Sequence, residues 1–469
     1  MKIRLIEPEP PGMHVWAKVA LPRLGLPMIA AALRHEGHDV LIYSPQMAPI
    51  DWADVYSSDL VGLSTTTSTA GAAYEIADQL SVKGIPVVVG GSHVTFMADE
   101  ALQHAEYVAR GEGGEQLMLE LIEALRGTRE FDSIAGLSFR RGGQAVHNPL
   151  RERCADLDTL PVPALDLLVG HEKITNVPIM TSWGCPFACN FCSVTAMFGR
   201  KYRYRSAENV VAEIKQKLPK LIFFCDDNLA ADTRRLKHLL QLMIAEDLAI
   251  PWTAQARTDV ARDPELLDLM RRSGCKMVYL GLESVNQETL DGFNKSQSVA
   301  DIERAIKVLH DYGIKSHGMF VLGADTDDVQ TVRDTVTFAI KNRIDTVMLS
   351  ILTPLPGTPQ FEQLDAQGRI FDKRWQLYDA HHVVFEPRLM TPYELQMEML
   401  RGLMGFYSLR AWLRCIFTLR SGRQLLYCWW GMVIIRSWRK DARNKAFVAA
   451  LKRMWPHPTL RDTTSPGTE

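Results

Sequence analysis

The feature that most constrains this chain is a strand-then-helix alternation that runs through most of its 469 residues. Short apolar runs, typical of buried strands, alternate with stretches in which apolar residues recur at helical spacing. Each unit takes about thirty residues, which is the length that a right-handed βα repeat requires. Because such repeats build parallel sheets covered by helices, the sequence predicts an α/β protein.

The first region of alternation spans residues 1–145. Strands are predicted there at Lys2–Glu7, Asp39–Tyr43, Leu60–Ser64, Val87–Val89 and Tyr107–Ala109. The predicted helices around them are Leu26–His35, Ala70–Leu80 and Gln116–Leu125. Several strands end in small or polar residues, and ligands of parallel sheets lie at the carboxyl ends of the strands. The candidate ligand contacts at this edge are Ser64, Thr65, Gly90, Gly91, His93, Gly111, Glu112 and Gly113.

Residues 146–176 are rich in Pro and Asp, which predicts a linker to a second region of alternation at 177–353. Its predicted strands are Ile179–Ser182, Leu221–Phe224, Trp252–Gln255, Met277–Gly281, Gly318–Leu322 and Thr346–Ile351. Its clearest predicted helices are Ser206–Lys217, Asp232–Ala245 and Val299–Asp311. Six units are too few for the eight-stranded barrel, so we expect a partial, open (β/α)6 barrel.

Three cysteines directly follow the first predicted strand of this barrel, at Cys185, Cys189 and Cys192. An iron–sulfur cube has four iron corners, each of which needs a thiolate or a substitute. Three closely spaced cysteines would hold three corners and leave one iron open to another ligand. A zinc knuckle is the alternative, but structural zinc needs four ligands and the sequence has no second ligand pair. A disulfide is a weaker explanation, because three thiols are an odd number and we expect a reducing compartment.

The CxxxCxxC spacing after the first strand of a six-unit βα domain resembles the radical S-adenosylmethionine superfamily. Other segments resemble its subclass with an N-terminal cobalamin-binding domain of Rossmann-like type: GLPMIAAALRHEGHDV, VVVGGSHVT, ARGEGGEQL, FFCDDNL and SILTPLPGTPQFEQL. The resemblance implies that the three cysteines bind a [4Fe–4S] cluster whose open iron takes S-adenosylmethionine. One electron, from a donor such as flavodoxin or ferredoxin, then produces a 5′-deoxyadenosyl radical that abstracts hydrogen from an unactivated carbon.

The same resemblance implies cofactor contacts near the ends of the barrel strands. The candidates are Phe191, Asp226, Asp227, Asn228, Gln255, Arg257, Glu283 and Ser284. Arg257 would meet a carboxylate, and Glu283 would accept hydrogen bonds from ribose hydroxyls. Phe191 would pack near adenine. The alternative for each is structural: a strand-end cap, an ion pair or a core aromatic.

Only the resemblance to the subclass implies cobalamin. The Asp-x-His-x-x-Gly signature, whose His ligates cobalt, is absent from 1–145. Many radical enzymes of the subclass bind cobalamin without that signature. His93 would then touch the corrin or its tail, unless it is a packed, hydrogen-bonded core histidine. A relic domain that only shapes the cavity is the alternative.

Further cysteines and a histidine pair have no ligand spacing. The remaining cysteines are Cys154, Cys225, Cys275, Cys415 and Cys428, and free cysteine is usually a small buried hydrophobe. His381 and His382 lie in a C-terminal extension, 354–460, where they form either a lid or substrate wall or a structural contact.

The C-terminal extension becomes basic and rich in Trp after residue 406, and a disordered tail is predicted at 461–469. From Arg401 to Trp455 there are twelve Lys or Arg against one acid, Asp441, although the whole chain has a net charge of −2. Trp beside Lys and Arg is typical of a segment that lies on an anionic membrane surface. A helical cap with a solvated basic face, or RNA binding, are the alternatives. We expect no spanning helix. We also expect no nucleic-acid partner. The expected location is the cytoplasm, with the protein peripheral on the inner face of the membrane.

Together these features predict a radical S-adenosylmethionine enzyme that carries out cobalamin-dependent C-methylation of a small molecule, such as a lipid or isoprenoid-like substrate. A radical cyclase, oxidase or carbon–carbon coupling enzyme without methyl transfer is the first alternative. A noncatalytic iron–sulfur or cobalamin sensor recruited to membranes is the second.

Overall fold

The structure is a computed structural model that describes residues 1–9, 12, 21–417 and 422–456. The predicted disordered tail, 461–469, and the side chain of Cys415 lie outside the described parts. Within them the chain forms two largely parallel sheets with helices on their faces, followed by a helical C-terminus. The α/β architecture is therefore as predicted, and the residue bounds of the domains stay a prediction.

The first sheet has seven strands: β1 (Lys2–Ile6), β2 (Asp39–Tyr43), β3 (Leu60–Thr65), β4 (Val87–Gly91), β5 (Tyr107–Ala109), β6 (Leu137–Arg141) and β7 (Gln144–His147). Their order is β2-β1-β3-β4-β5-β6-β7, and the first five are parallel. The accompanying helices are α1 (Gly25–His35), α2 (Trp52–Tyr56), α3 (Ala70–Ser81), α4 (Ser92–Phe96), α5 (Ala98–Ala101) and α6 (Gly114–Leu125). The chain reverses its direction of travel across the sheet between β1 and β3, which opens a crevice at the carboxyl edge.

The antiparallel hairpin β6–β7 was not predicted. Its two-residue turn is Gly142-Gly143, with φ of 57° and 82°, and such a turn needs residues that adopt positive φ. Arg140 and Arg141 interrupt the apolar run of β6, so the strand gave a weak signal. The pair Gly142-Gly143 was the sequence feature that could have indicated this turn.

The second sheet has six parallel strands in the order β15-β14-β13-β12-β11-β8. They are β8 (Val177–Ile179), β11 (Ile222–Phe224), β12 (Trp252–Ala256), β13 (Cys275–Glu283), β14 (Lys315–Leu322) and β15 (Thr346–Ile351). Two further short strands, β9 (Ser182–Trp183) and β10 (Arg203–Tyr204), pair antiparallel beside it. The six-unit open barrel is confirmed.

The first barrel strand was predicted at Ile179–Ser182, and this was wrong in its bounds. The strand ends at Ile179, and Ser182 belongs to β9. The reason lies at Thr181, whose backbone N–H donates to the Asp226 carboxylate and whose carbonyl accepts from Arg235, so neither group joins the sheet.

Helices surround the barrel and form the C-terminus. They are α7 (Ser193–Phe198), α8 (Ala207–Lys217), α9 (Thr233–Ala245), α10 (Pro264–Ser273), α11 (Gln287–Gly292), α12 (Val299–Asp311), α13 (Val329–Lys341), α14 (Pro359–Ala366), α15 (Pro392–Phe406), α16 (Leu409–Phe417), α17 (Gly422–Lys440) and α18 (Ala442–Met454). Several begin at a side chain that accepts a hydrogen bond from the first turn, such as Ser206, Asp232 and Ser298. No helix in the described ranges combines the length and the apolar character needed to cross a bilayer.

Alternate side chains of the barrel strands have different surroundings. Those that point toward the helices, such as Ala254, Val278 and Leu349, are buried in the largest core cluster. Those on the opposite, concave face, such as Gln255 and Met348, remain half-buried. The concave face is therefore open enough to admit a ligand.

Of the two histidines in the C-terminal extension, His382 makes structural contacts on both sides of its ring. The Nδ1 atom of His382 lies 2.9 Å from the Asp379 carboxylate, and its Nε2 atom lies 3.1 Å from Oδ1 of Asn444. Its ring packs against Trp438 and Phe447 of α17 and α18. His382 thus fixes the C-terminal helices to the extension rather than lining a lid.

Candidate active site

The three cysteines lie in the loop between β9 and α7, at the carboxyl end of the barrel sheet. Gly184 leads into this loop with φ of +82°, and a Cβ atom there would lie 2.6 Å from the carbonyl oxygen of Lys201. Only glycine fits this entry without displacing the backbone. All three thiols are free and half-buried.

The loop is held by hydrogen bonds from elsewhere in the barrel. Asn190 Nδ2 donates to the carbonyl of Gly292 over 3.1 Å, and Asn294 Nδ2 donates to the carbonyl of Ala188 over 3.2 Å. Within the loop region, Thr195 Oγ1 donates to the carbonyl of Phe187. These contacts arrange the thiols in advance, as a metal site requires.

The three thiols have the ligand type that iron–sulfur clusters take. In the described part of the chain, no three His, Cys, Asp or Glu side chains are arranged around one metal-ion position. Burial raises the pKa of all three thiols, that of Cys192 to about 12, while the charges of Lys295 and Arg257 oppose the rise at Cys189. Metal binding to these groups must therefore release protons.

Beside the cysteine loop lies a set of buried polar atoms without a partner among the described residues. They include Nε and Nη1 of Arg257 and Oδ1 of Asn228, although both side chains are almost fully buried. The Arg257 guanidinium packs 3.7 Å from the ring centroid of Phe187, inside the cysteine loop, and also donates to the carbonyl of Lys295. Unpartnered buried donors and acceptors are rare unless a ligand completes them. Their chemistry fits the carboxylate and amino group of S-adenosylmethionine.

Asp226 and Asp227, predicted together as cofactor contacts, have different surroundings. Both carboxylate oxygens of Asp226 accept hydrogen bonds within the protein, from Thr181 and Ser182, so this residue supports the strand ends instead. Asp227 is accessible to solvent, yet protein surrounds it on most sides. The loss of hydration, together with the charge of Asp226, raises the pKa of Asp227 to about 7.

Glu283 ends β13 in the left-handed conformation, with φ of +62°. A non-glycine residue in this conformation stores strain, which is often found at ligand sites. Its carboxylate pairs with Lys295 Nζ at 2.5 Å in a buried position, and Gly281 leaves the space that this pair occupies. The adjacent Ser284 accepts a hydrogen bond from the backbone of Asn286, which is a capping contact.

Two other predicted contacts are placed less directly. The ring of Phe191 packs edge-to-face on Phe293, with centroids 4.8 Å apart, as the core-aromatic alternative requires. Gln255 lies half-buried on the concave face of the barrel. Of the other cysteines, Cys275 and Cys428 are buried, whereas Cys225 is half-buried.

Hydrogen bonds and close backbone packing hold the carboxyl edge of the first sheet at the predicted ligand contacts. Thr65 Oγ1 donates to the carbonyl of Gly90 over 2.9 Å, and Thr95 Oγ1 donates to the carbonyl of Gly91. Gly91 has φ of +112°, and any Cβ atom there would overlap the backbone of Thr65. Ser64 is half-buried at the same edge. Gly91 therefore allows β4 to pack closely against the end of β3.

Replacing Gly91 with alanine should therefore destabilise this edge by about 2 kcal/mol or more, because the new methyl group meets both backbone strain and the Thr65 carbonyl. Thermal unfolding and retention of added hydroxocobalamin measure the effect, and both should fall. Gly71→Ala in α3 is the matched control, since no atom lies within 4 Å of its new methyl group. Equal behaviour of the two variants would contradict the close approach at Gly91.

His93 follows this edge at the start of α4 and is fully packed. Its ring lies edge-to-face on Trp375, with centroids 5.0 Å apart, and its Nε2 atom lies 3.5 Å from Glu100. Trp375 Nε1 donates to the same Glu100 carboxylate over 2.8 Å. The ring is therefore packed and has a partner at Nε2, whereas its buried Nδ1 has no partner among the described residues. Trp375 is a contact of this edge that the sequence did not predict.

Glu112 was predicted as a cofactor contact, but the structure uses it differently. Its carboxylate receives two hydrogen bonds from the Arg203 guanidinium, at 2.6 and 2.7 Å, with both side chains buried. This ion pair joins the first sheet region to the barrel. The flanking Gly111 and Gly113 both have positive φ and form the turn that presents Glu112.

A short segment of the C-terminal extension, residues 357–360, touches both predicted cofactor regions. Gly357 lies against the ring of Phe96, at the end of α4, so closely that a Cβ atom would overlap that ring. Three residues later, the backbone N–H of Gln360 donates to the carbonyl of Asn190 in the cysteine loop over 3.2 Å. The carboxyl edge of the first sheet and the cysteine loop are therefore neighbours.

The first sheet region and the barrel each match a model of a known protein family. Residues 179–339 match the model of the radical SAM superfamily, and residues 16–119 match that of the B12 binding domain.

Two curated relatives cover most of the chain. An uncharacterized methyltransferase of Pyrococcus horikoshii is 31% identical over 82% of this chain and 88% of its own length. The bacteriochlorophyllide d C-12(1)-methyltransferase of Chlorobaculum tepidum is also 31% identical, over 79% of each chain.

Among solved structures, the cobalamin-dependent S-adenosylmethionine radical enzyme OxsB, with aqua-cobalamin and S-adenosylmethionine bound, has the same fold. Its TM-score is 0.70 at 14% identity, over 97% of this chain and 75% of that chain.

Proposed function

We propose, since this chain belongs to the radical S-adenosylmethionine superfamily and carries a B12-binding domain, that it methylates an unactivated carbon with cobalamin as the methyl carrier. Its cofactors are a [4Fe–4S] cluster, S-adenosylmethionine and cobalamin. It acts on a small-molecule substrate and needs a reductant.

The observation that carries the proposal is the double contact of residues 357–360. A methyl donor and the carbon that receives its methyl group must meet within one cavity. Gly357 at Phe96 and Gln360 at Asn190 bring the B12-binding edge and the cysteine loop to opposite ends of one short segment. This proximity supports methyl transfer over the reactions that need only the cluster.

When bound, the cluster with S-adenosylmethionine supplies hydrogen abstraction from carbon, and the corrin supplies the methyl group. In our proposal the cysteine thiolates of the loop hold the cluster. Arg257 would donate to the carboxylate of S-adenosylmethionine, and Asn228 would accept from its amino group. Glu283, whose charge is balanced by Lys295, accepts from the ribose hydroxyls. The burial of these groups keeps water from the reacting carbon.

The concave face of the barrel supports an apolar substrate. Side chains on this face include Phe223, Tyr279, Met319, Val321 and Met348, interspersed with the polar side chains of Gln255, His317 and Ser350. Apolar, aromatic and adaptable methionine surfaces are typical of pockets for hydrophobic ligands. We therefore extend the proposal to a lipid or isoprenoid-like substrate, met at an anionic membrane surface.

Product analysis of the anaerobic, reconstituted holoenzyme tests the reaction type. With hydroxocobalamin, a strong reductant and S-adenosylmethionine, we expect both S-adenosylhomocysteine and 5′-deoxyadenosine. A cyclase, oxidase or coupling enzyme would form 5′-deoxyadenosine alone, and a sensor would form neither. Absence of S-adenosylhomocysteine from a preparation that retains corrin would overturn the methylation proposal.

A further inference from the structure

Two helices of the C-terminal extension carry large apolar side chains on the outer surface. On α16, Leu409 and Leu413 are 62% and 41% exposed, and they lie one helical turn apart. On α17, Leu426, Trp429 and Trp430 are 49%, 48% and 38% exposed. The two helices are neighbours, and exposed apolar residues grouped on neighbouring helices usually mark a contact site.

Helix α17 has two distinct faces. Cys428, Ile435 and Trp438 are buried, and they share the side that packs toward α15 and α18. The spacing of Leu426, Trp429 and Trp430 places them together on the opposite side. Continued by the same spacing, that side reaches Arg436 and Lys440, both of which are exposed. One outer face therefore carries an apolar half followed by a basic half.

The sequence of this region offers few acidic residues to balance its positive charge, although Arg401 pairs with Glu398 of α15 at 2.6 Å. Between Arg401 and Trp455 the chain has one acid, Asp441, which lies 3.8 Å from Arg443. A surface with so strong an excess of positive charge attracts an anionic partner. That excess also disfavours a second copy of the same surface, since like charges would face each other.

The apolar half of this outer face favours an anionic bilayer over a nucleic acid as the partner. Phosphates and stacked bases satisfy Arg and Trp, but they leave Leu409, Leu413 and Leu426 in water. A bilayer interface takes up all three kinds of side chain: leucines enter the acyl boundary, Trp lies at the headgroup level, and Lys and Arg meet anionic lipids.

We propose that the outer face of α16 and α17, formed by Leu409, Leu413, Leu426, Trp429, Trp430, Arg436 and Lys440, docks in the plane of an anionic bilayer. The link to catalysis rests on the proposed function, because an apolar substrate would be taken from that bilayer. The docking itself stands on the surface alone.

Vesicle co-sedimentation of the full-chain holoenzyme tests the docking. The probes are phosphatidylcholine vesicles with and without phosphatidylglycerol, at low and high salt. We expect binding to the anionic vesicles at low salt and weak binding to pure phosphatidylcholine. The double variant Leu426→Ser with Trp429→Ser should bind at least about tenfold more weakly, as should Arg436→Gln with Lys440→Gln. Val82→Ser removes an even more exposed apolar side chain elsewhere and should bind as the unaltered protein does.

Three outcomes would overturn the docking proposal: equal binding to both vesicle types, unaltered binding of the two double variants, or a dimer in light scattering that these variants dissolve. S-adenosylhomocysteine and 5′-deoxyadenosine are measured on the same preparations without vesicles. Unchanged products with lost vesicle binding separate the docking surface from the active site. Normal docking with no S-adenosylhomocysteine would instead count against the methylation proposal.

Discussion

Joint replacement of Cys185, Cys189 and Cys192 by alanine is expected to remove nearly all cluster iron and inorganic sulfide from the anaerobic protein. Thiolates are the ligands of iron–sulfur clusters, and the described residues offer no other thiol in this loop. Formation of 5′-deoxyadenosine should fall below detection, a loss of at least about a thousandfold, since the chemistry of the cofactor has no side-chain substitute. Iron and sulfide quantification, with nucleoside analysis, measures the change.

Cys154→Ala is the matched control for this experiment. Cys154 is also free and half-buried, but it lies outside the cysteine loop, where its thiol donates to the carbonyl of Asp156 and lies 3.8 Å from Oγ1 of Thr159. Its variant should keep the full content of iron and sulfide. Retained sulfide in the triple variant, or turnover at the normal rate, would refute the cluster assignment.

Glu112→Ala is expected to lower the free energy of unfolding by about 3–5 kcal/mol, because it leaves the buried guanidinium of Arg203 without its counter-charge. Arg203 also donates to the carbonyls of Cys154 and Phe198, so it cannot turn outward without breaking those bonds. A shift of the denaturation midpoint to lower denaturant measures the loss.

The matched control is Glu123→Ala, which removes an ion pair to Arg129 at 2.7 Å on the surface. Both partners there are substantially exposed, so the cost should be about 0–1 kcal/mol. If Glu112→Ala cost no more than Glu123→Ala, the ion pair between the two regions would not stabilise the fold. Loss of corrin binding without loss of stability would return Glu112 to its predicted role as a cofactor contact.

Most of the features predicted from the sequence depend on residues that lie close together in the chain. The strand β15 and the helix α12 have the predicted bounds, since an apolar run and a Ser298 cap both act within a few residues. The cysteine motif is equally local, because its three thiols lie within eight positions of one loop. Short-range spacing is enough to recognise such features.

Long-range contacts explain what the sequence did not reveal. Glu112 meets Arg203 across 91 positions, and Trp375 meets Glu100 across 275. No periodicity connects residues so far apart, and each side chain alone resembles an ordinary strand-end or surface residue. The corrected reading of Glu112 and the unforeseen contact of Trp375 both have this origin.

The missing side chain at Gly357 has a consequence for how the two halves of the molecule work together. The ring of Phe96 lies directly against the backbone of Gly357. Three residues later, the backbone N–H of Gln360 donates to the carbonyl of Asn190 in the cysteine loop. The distance between the end of α4 and the cysteine loop therefore depends on the lack of a side chain at this one position. A methyl group at Gly357 would push Phe96 away from the segment and change that distance.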